Sequence, residues 1–126
     1  MPALLRFING NWLPITLLIL VAITTLSLMP LPALPSSVPG TDKTHHFIAY
    51  GLLMFPVALH NPRHWLLIGL FFVSWSGAIE LLQPYVNRHA EWMDMLSNVG
   101  GLLCGTVIAR LCRRWSHHWA RPLPLQ

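Results

Sequence analysis

Carboxylates are rare in this 126-residue chain, and all four lie near one end of its hydrophobic segments. They are Asp42, Glu80, Glu91 and Asp94. A carboxylate close to hydrocarbon is costly, so four at one level indicate a site that is built for use. His46 follows Asp42 by four residues, which places an imidazole on the same face of a helix. Together these groups suit acid–base chemistry or the binding of a cation.

Polar side chains recur at helical spacing around these carboxylates. Residues three or four apart share one face of a helix, so each set forms a stripe. The stripes are Asp42, His46 and Tyr50; Glu80 and Gln83; and Asp94 and Asn98. Lys43 and Arg88 are the basic residues near the same end, and we call them the flanking cations. We expect the three stripes to converge on one polar pocket with the flanking cations beside it.

A catalytic interpretation gives His46, Glu80 and Asp94 the central roles. His46 is oriented by Asp42 or Asp94 and acts as a base or nucleophile, while Glu80 is the second acid or base. The flanking cations then hold an anionic headgroup such as a lipid phosphate or pyrophosphate. This interpretation predicts a small intramembrane hydrolase or transferase.

Two further interpretations use the same groups without such catalysis. If a metal binds, its ligands are His46, Glu80 and Asp94, one nitrogen and two carboxylates from separate segments. In the other interpretation, the pocket binds a headgroup or a lipid-linked precursor and alters access to the membrane surface. The chain contains no G-x-S-x-G, H-E-x-x-H or phosphate-cradling motif that would decide between these interpretations, and we expect no cofactor.

A structural role for the polar residues is a further alternative. Asp42 and Asp94 can cap helices, and a flanking cation can pair with Glu80. Buried pairs of this kind can fix the register between helices. Capping, however, does not require His46 or Asn98 to face the same volume.

The composition indicates that such a pocket belongs to a membrane protein. The chain is 54% hydrophobic and 10% charged, far below the roughly one quarter charged residues of soluble domains. Apolar stretches cover 12–29, 46–59, 65–82 and 93–112, and a span needs ~20 residues. The second stretch is short and must recruit its polar flanks. We expect an all-α membrane protein, one domain over 1–126, with four transmembrane helices in a compact antiparallel bundle.

The basic residues predict the orientation. With the N-terminus in the cytoplasm, six of the eight basic residues face inward, and the positive-inside rule favours this arrangement. Both termini are then cytoplasmic in a bacterial inner membrane, and loops 30–43 and 84–92 are outside. The alternative for the first stretch is a cleaved signal peptide. The six inward residues are Arg6, Arg63, Arg110, Arg113, Arg114 and Arg121.

Small residues recur every four positions on the last stretch. Ser97, Gly101, Gly105 and Ala109 line one face and allow a neighbouring backbone to come close. Packing against another helix of the same chain and homodimerisation both use such a face. We expect packing within the monomer, and the sequence leaves the oligomeric state open.

Three segments resemble the signature of VanZ-like membrane proteins. Residues 42–50 read D-K-T-H-H-F-I-A-Y, like the family's D-K-x-x-H-x-x-x-Y. Residues 77–83 read G-A-I-E-L-L-Q, like G-x-x-E-x-x-Q, and Arg88, Asp94 and Asn98 reproduce R-x5-D-x3-N. The resemblance covers about 42–105 in order and spacing. Asn87 departs from the family, because a glycine often precedes the arginine there, and Glu91 stands at a position usually held by aspartate.

The resemblance implies a fold and a location more than a reaction. A member of the family is linked to reduced susceptibility to teicoplanin, a lipoglycopeptide that acts at the outer membrane surface. The resemblance therefore implies a cell-envelope role whose mechanism is not established. The partners expected are membrane lipid and a lipid-linked envelope precursor or lipophilic antibiotic, and the apolar composition gives no argument for nucleic acid.

Overall fold

The computed structural model describes residues 1–30 and 41–119, without the side chains of 41, 42, 118 and 119. This part of the chain is all-helical. Most of the proline-rich 30–43 loop therefore lies outside the described residues, as does the side chain of Asp42. The helices are α1 (Ala3–Gly10), α2 (Trp12–Leu28), α3 (Thr41–His60), α4 (Trp65–Leu82) and α5 (Trp92–Trp119), with a 3-10 helix at Gln83–Val86.

The four predicted stretches correspond to α2, α3, α4 and α5. Helix α4 occupies 65–82 as predicted. Helix α3 begins at Thr41 and α5 continues to Trp119, beyond the predicted 46–59 and 93–112. Polar residues extend both helices because a helix satisfies its own backbone groups whether or not its side chains are apolar. The hydropathy pattern therefore marks the apolar part of each helix and misses its polar ends.

Helix α1 was not predicted. It is bent by 79° from α2, and the break lies at Asn11. The Asn11 side chain caps the end of α1 by donating to the Phe7 carbonyl over 3.0 Å. Leu5 and Ile8 pack against the α3 and α5 ends, while Leu4 and Phe7 are exposed. The Asn-Gly-Asn run at 9–11 was the sequence signal for this break.

Within residues 1–30 and 41–119, two helical segments are long and apolar enough to cross a membrane. They are Trp65–Val86 and Trp92–His117. The bent pair of α1 and α2 would be a third if it formed one span. Helix α3 is as long as α4 but opens with the polar run T-D-K-T-H-H, which lowers its apolar character.

Helices α2 and α4 run in one direction, and α3 and α5 run in the other. Cross-contacts establish this: His60 at the end of α3 stacks on Trp12 at the start of α2, with ring centroids 5.0 Å apart. Arg110 near the end of α5 lies 4.2 Å from the Trp65 ring at the start of α4. The four-span antiparallel bundle stays a prediction, and among the described residues α3 makes its most extensive contact with the parallel helix α5.

A glycine seam, formed by Gly51, Gly101 and Gly105, joins α3 to α5. A Cβ at Gly101 would collide with the Phe47 carbonyl oxygen and lie 3.1 Å from the Gly51 nitrogen. A Cβ at Gly105 would collide with the carbonyl oxygen of Gly51. The small face of α5 is therefore packed within the chain, as predicted, because only hydrogen fits between the two backbones.

Helix α3 is the centre of the molecule. Tyr50, Leu53, Met54 and Val57 are all at most 2% exposed and form the main apolar core with Phe72 of α4. This burial fixes the rotation of α3. Since side chains four residues apart share a face, it also fixes where His46 points.

Candidate functional site

His46, Glu80 and Asp94 come together at the junction of α3, α4 and α5. One donor atom from each side chain lies within 4.8 Å of the other two. The His46 Nε2 to Asp94 Oδ2 distance is 3.9 Å, too long for a hydrogen bond. The three predicted catalytic residues thus share one small volume, although they are far apart in sequence. We call them the carboxylate–histidine cluster.

Asn98 orients the imidazole of His46. The Asn98 amide nitrogen donates to Ser76 Oγ over 2.6 Å, which turns its carbonyl oxygen toward His46. That oxygen lies 3.1 Å from His46 Nδ1. In the neutral ring Nδ1 then carries the proton and donates it, so Nε2 keeps its lone pair on the side of Asp94.

The sequence suggested a carboxylate, Asp42 or Asp94, as the group that orients His46. The structure places the Asn98 carbonyl at Nδ1 of His46 and Asp94 Oδ2 3.9 Å from Nε2, while the side chain of Asp42 lies outside the described residues. Asn98 is 2% exposed and Ser76 is 1% exposed, so their hydrogen bond is sheltered from water. Asn98 was predicted as a binding residue, and its contact lies behind the imidazole rather than toward a ligand.

Glu80 is the exceptional member of the cluster. Both of its carboxylate oxygens are inaccessible to solvent, and neither accepts a hydrogen bond. The backbone N–H of Glu91 approaches this carboxylate without reaching hydrogen-bond geometry. The pairing of Glu80 with Lys43 or Arg88, which the structural alternative allowed, is not formed. A buried carboxylate with no partner is unusual, because ionised groups away from water are normally paired.

Tyr50 lies one turn deeper than His46 and is 1% exposed. Its side chain reaches Ser76, the residue that also holds Asn98. Tyr50 therefore belongs to the polar layer beneath the cluster and also lines the groove that His46 lines, and its role in binding stays a prediction.

Gln83 and Arg88 close the last turn of α2. Gln83 Nε2 donates to the Ser27 carbonyl at 3.4 Å, and Arg88 donates to the Leu26 carbonyl at 2.9 Å. The last carbonyls of a helix have no partner within the helix, so these contacts stabilise its end. Both residues were predicted to bind a ligand, and both have a structural contact here.

The position of Arg88 depends on the residue before it. Asn87 has a φ of 60°, in the left-handed region, and ends the 3-10 helix. Glycine and asparagine adopt this conformation most readily. Asn87 therefore adopts a backbone conformation that a glycine would also allow.

Lys43 pairs with Glu91 at 3.0 Å. Both side chains are substantially exposed, at 39% and 56%. This pair ties the start of α3 to the loop before α5, outside the carboxylate–histidine cluster. The predicted role of Lys43 as a headgroup ligand thus competes with an ion pair.

A groove of about 310 Å³ lies between α2 and α3, and we call it the α2–α3 groove. His46, His45 and Arg88 supply its polar wall, while Ile23, Leu26 and Ala49 belong to its apolar lining. The side chain of His45 leaves α3 about 100° from that of His46. It nevertheless lines the same groove, since the groove is wide enough to take both faces.

Glu80 lines a second groove, of about 590 Å³, between α4 and the start of α5. Its walls are mainly apolar and include Ala78, Leu81, Trp92 and Met95. The carboxylate–histidine cluster therefore lies between two grooves, with His46 facing one and Glu80 bordering the other.

Comparison of the chain with protein-family models, curated proteins and solved structures finds no match.

Proposed function

We propose that this protein is a multi-pass protein of the bacterial cytoplasmic membrane that binds the polar end of a lipid-linked molecule, in a cell-envelope role. The observation that carries the proposal is the two-sided lining of the α2–α3 groove. Arg88 and His46 provide cationic or hydrogen-bonding groups, and Ile23, Leu26 and Ala49 provide an apolar wall. A molecule with a charged head and a hydrocarbon tail matches both surfaces at once.

Arg88 supports an anionic head. One of its nitrogens donates to Leu26, and the guanidinium has five N–H donors in a planar fork suited to phosphate. The contact with Leu26 orients the guanidinium at the groove and uses one of these five donors. Phosphate or pyrophosphate on a lipid carrier is the head that this arrangement favours.

The topology proposed has α2, α3, α4 and α5 as four spans with both termini in the cytoplasm. Six of the eight basic residues are then inside, and the α2–α3 groove opens near the outer surface. The resemblance to VanZ-like proteins supports the envelope role, including altered susceptibility to a lipoglycopeptide such as teicoplanin.

Cysteine labelling tests this topology. In a variant lacking Cys104 and Cys112, His89→Cys should react with an impermeant reagent added outside, and Arg63→Cys only after the membrane is opened. Both positions are exposed, so failure to react reports the side of the membrane and not burial. Labelling of position 63 from outside in intact cells would reverse the proposed orientation.

Binding tests the ligand class. Wild-type protein in nanodiscs should bind a polyisoprenyl phosphate at least tenfold more tightly than the polyisoprenyl alcohol of equal length. Arg88→Gln should remove this preference, while the exposed His89→Gln next to it should keep it. Equal affinity of the wild type for the phosphate and the alcohol would contradict a headgroup site.

A second candidate function is hydrolysis or transfer of the lipid-linked phosphate. The orientation of His46 favours it, because a neutral imidazole with Nε2 unprotonated can act as a base or nucleophile beside the groove. Phosphate release from a polyisoprenyl pyrophosphate by the wild type, abolished in His46→Gln, would establish the reaction. Tight binding without turnover would leave the protein as a binder.

A further inference from the structure

We infer that His46, Glu80 and Asp94 bind one divalent transition-metal ion, such as Zn²⁺ or Mn²⁺, at the junction of α3, α4 and α5. Their donor atoms already lie within 4.8 Å of one another. Donors bonded ~2.1 Å from one ion are ~3.0 to 3.4 Å apart in octahedral or tetrahedral sites. The 3.9 Å between His46 Nε2 and Asp94 Oδ2 needs only a small contraction, and rotation of the carboxylate side chains can supply it.

The hydrogen bonding of the His46 imidazole is of the kind found at metal-ligating histidines. A ligating histidine usually donates its other ring N–H to an oxygen, which fixes both the tautomer and the ring orientation. Here His46 Nδ1 lies 3.1 Å from the Asn98 carbonyl oxygen, and Asn98 is held in turn by Ser76 at 2.6 Å. This chain of contacts presents the Nε2 lone pair toward the two carboxylates.

Glu80 supplies an independent observation. Its two oxygens are closed to solvent and accept no hydrogen bond, although a carboxylate can accept several. Arg88 is near enough to attract this charge but directs its bond to the Leu26 carbonyl. A cation between the two carboxylates gives Glu80 the partner that the protein does not provide and offsets their mutual repulsion.

The donor set selects the kind of ion. Carboxylates alone suit Mg²⁺ or Ca²⁺, whereas an imidazole nitrogen favours zinc and neighbouring transition metals. One nitrogen and two carboxylates leave open coordination positions, as in sites that polarise a phosphate or activate water. The inference thus adds to the proposed function by giving it an ion that can face the headgroup, but its test needs no lipid.

Metal content is the direct measurement. Untagged full-length protein is purified in detergent, stripped with EDTA, exposed to Zn²⁺ or Mn²⁺, and dialysed before elemental analysis. We expect about one ion per chain in the wild type and less than about a fifth of that in Glu80→Gln and Asp94→Asn. Glu91→Gln and His64→Gln are matched controls, because they remove an exposed carboxylate and an exposed imidazole outside the cluster.

Spectroscopy of the wild type keeps the inference testable if a variant fails to fold. X-ray absorption of the zinc form should show one imidazole and oxygen ligands at ~2.0 to 2.1 Å. A first shell of several imidazoles, or a metal content equal in the wild type and Glu80→Gln, would overturn the site. Absence of a bound ion from the wild type, together with retained phosphate-dependent lipid binding, would overturn this inference alone and leave the proposed function standing.

Discussion

The glycine seam and the carboxylate–histidine cluster share helices α3 and α5, with Glu80 of α4 completing the cluster, and they are built on opposite principles. In the seam, Gly101 and Gly105 have no side chain, and this allows the backbones of α3 and α5 to approach each other closely. In the cluster, one buried carboxylate has no partner and costs stability rather than adding to it. The seam therefore holds the cluster together, and the cluster is where the molecule departs from the most stable arrangement. We therefore expect substitutions in the seam to lower stability and substitutions in the cluster to lower function.

The largest expected effect is in the seam. Gly101→Leu or Gly105→Leu should reduce folded yield severely, at a cost of ~3 kcal/mol or more, because the obstacle is backbone and cannot rotate away. Val107→Leu, on the exposed face of the same helix, should fold normally. Thermal melts and yields in detergent measure the difference.

A subtler pair of variants sharpens the same point. Gly105→Ala adds one methyl group against the Gly51 carbonyl, whereas Gly10→Ala adds the same group where nothing lies within 4 Å. The first should lower the melting temperature, and the second should leave it unchanged or raise it slightly. Equal melting temperatures would show that α3 and α5 are not in the close contact described.

The second largest effect should come from the support of His46. Asn98→Ala removes the buried hydrogen-bond partner that Ser76 and His46 share, and it should lower the free energy of unfolding by ~1 to 3 kcal/mol. Mutation of a residue that orients a metal ligand commonly lowers metal affinity 10- to 100-fold, so Asn98→Ala should also weaken Zn²⁺ or Mn²⁺ binding. Ser97→Ala is the control, since its exposed hydroxyl bonds only to the carbonyl of its own helix. An Asn98→Ala protein with wild-type stability would contradict the role of Asn98.

The cluster itself should show the reverse pattern. His46→Gln, Glu80→Gln and Asp94→Asn preserve size and should abolish function while changing folded yield little. In metal-free buffer, Glu80→Gln should melt at or above the wild-type temperature, because it neutralises a buried charge that has no hydrogen-bond partner. Melts are compared with lipid binding and with a lipoglycopeptide-susceptibility assay. Unfolding of all three variants would make the cluster a structural network and not a site.

The smallest effect should follow loss of the Lys43–Glu91 pair. Both groups are exposed, so removing either should change the free energy of unfolding by less than ~1 kcal/mol. Glu91→Gln is measured by thermal melts at low and high salt. A loss as large as that of Asn98→Ala would mean that this loop contributes to the buried site.

Periodicity and composition alone predicted most of the helices and the glycine seam. Helix α4 was placed to the residue, because long apolar runs report directly on helical segments, and the four-residue repeat of small side chains predicted the close contact of α5. The sequence also placed His46, Glu80 and Asp94 at one level. The spacing of the residues predicted which helix face each side chain lies on, and the repeat of small side chains predicted the seam.

Only the tertiary structure decided which groups meet. His46 contacts Asn98 across 52 positions, and Lys43 pairs with Glu91 instead of Glu80. Such choices depend on the rotation and register of helices relative to one another, which are set by the burial of α3 and by backbone contact in the seam. The spacing of residues along the sequence does not determine these rotations and registers. The sequence by itself therefore determined the helices, the seam and the level of the polar residues, while three-dimensional packing determined that Glu80 remains without a hydrogen-bond partner.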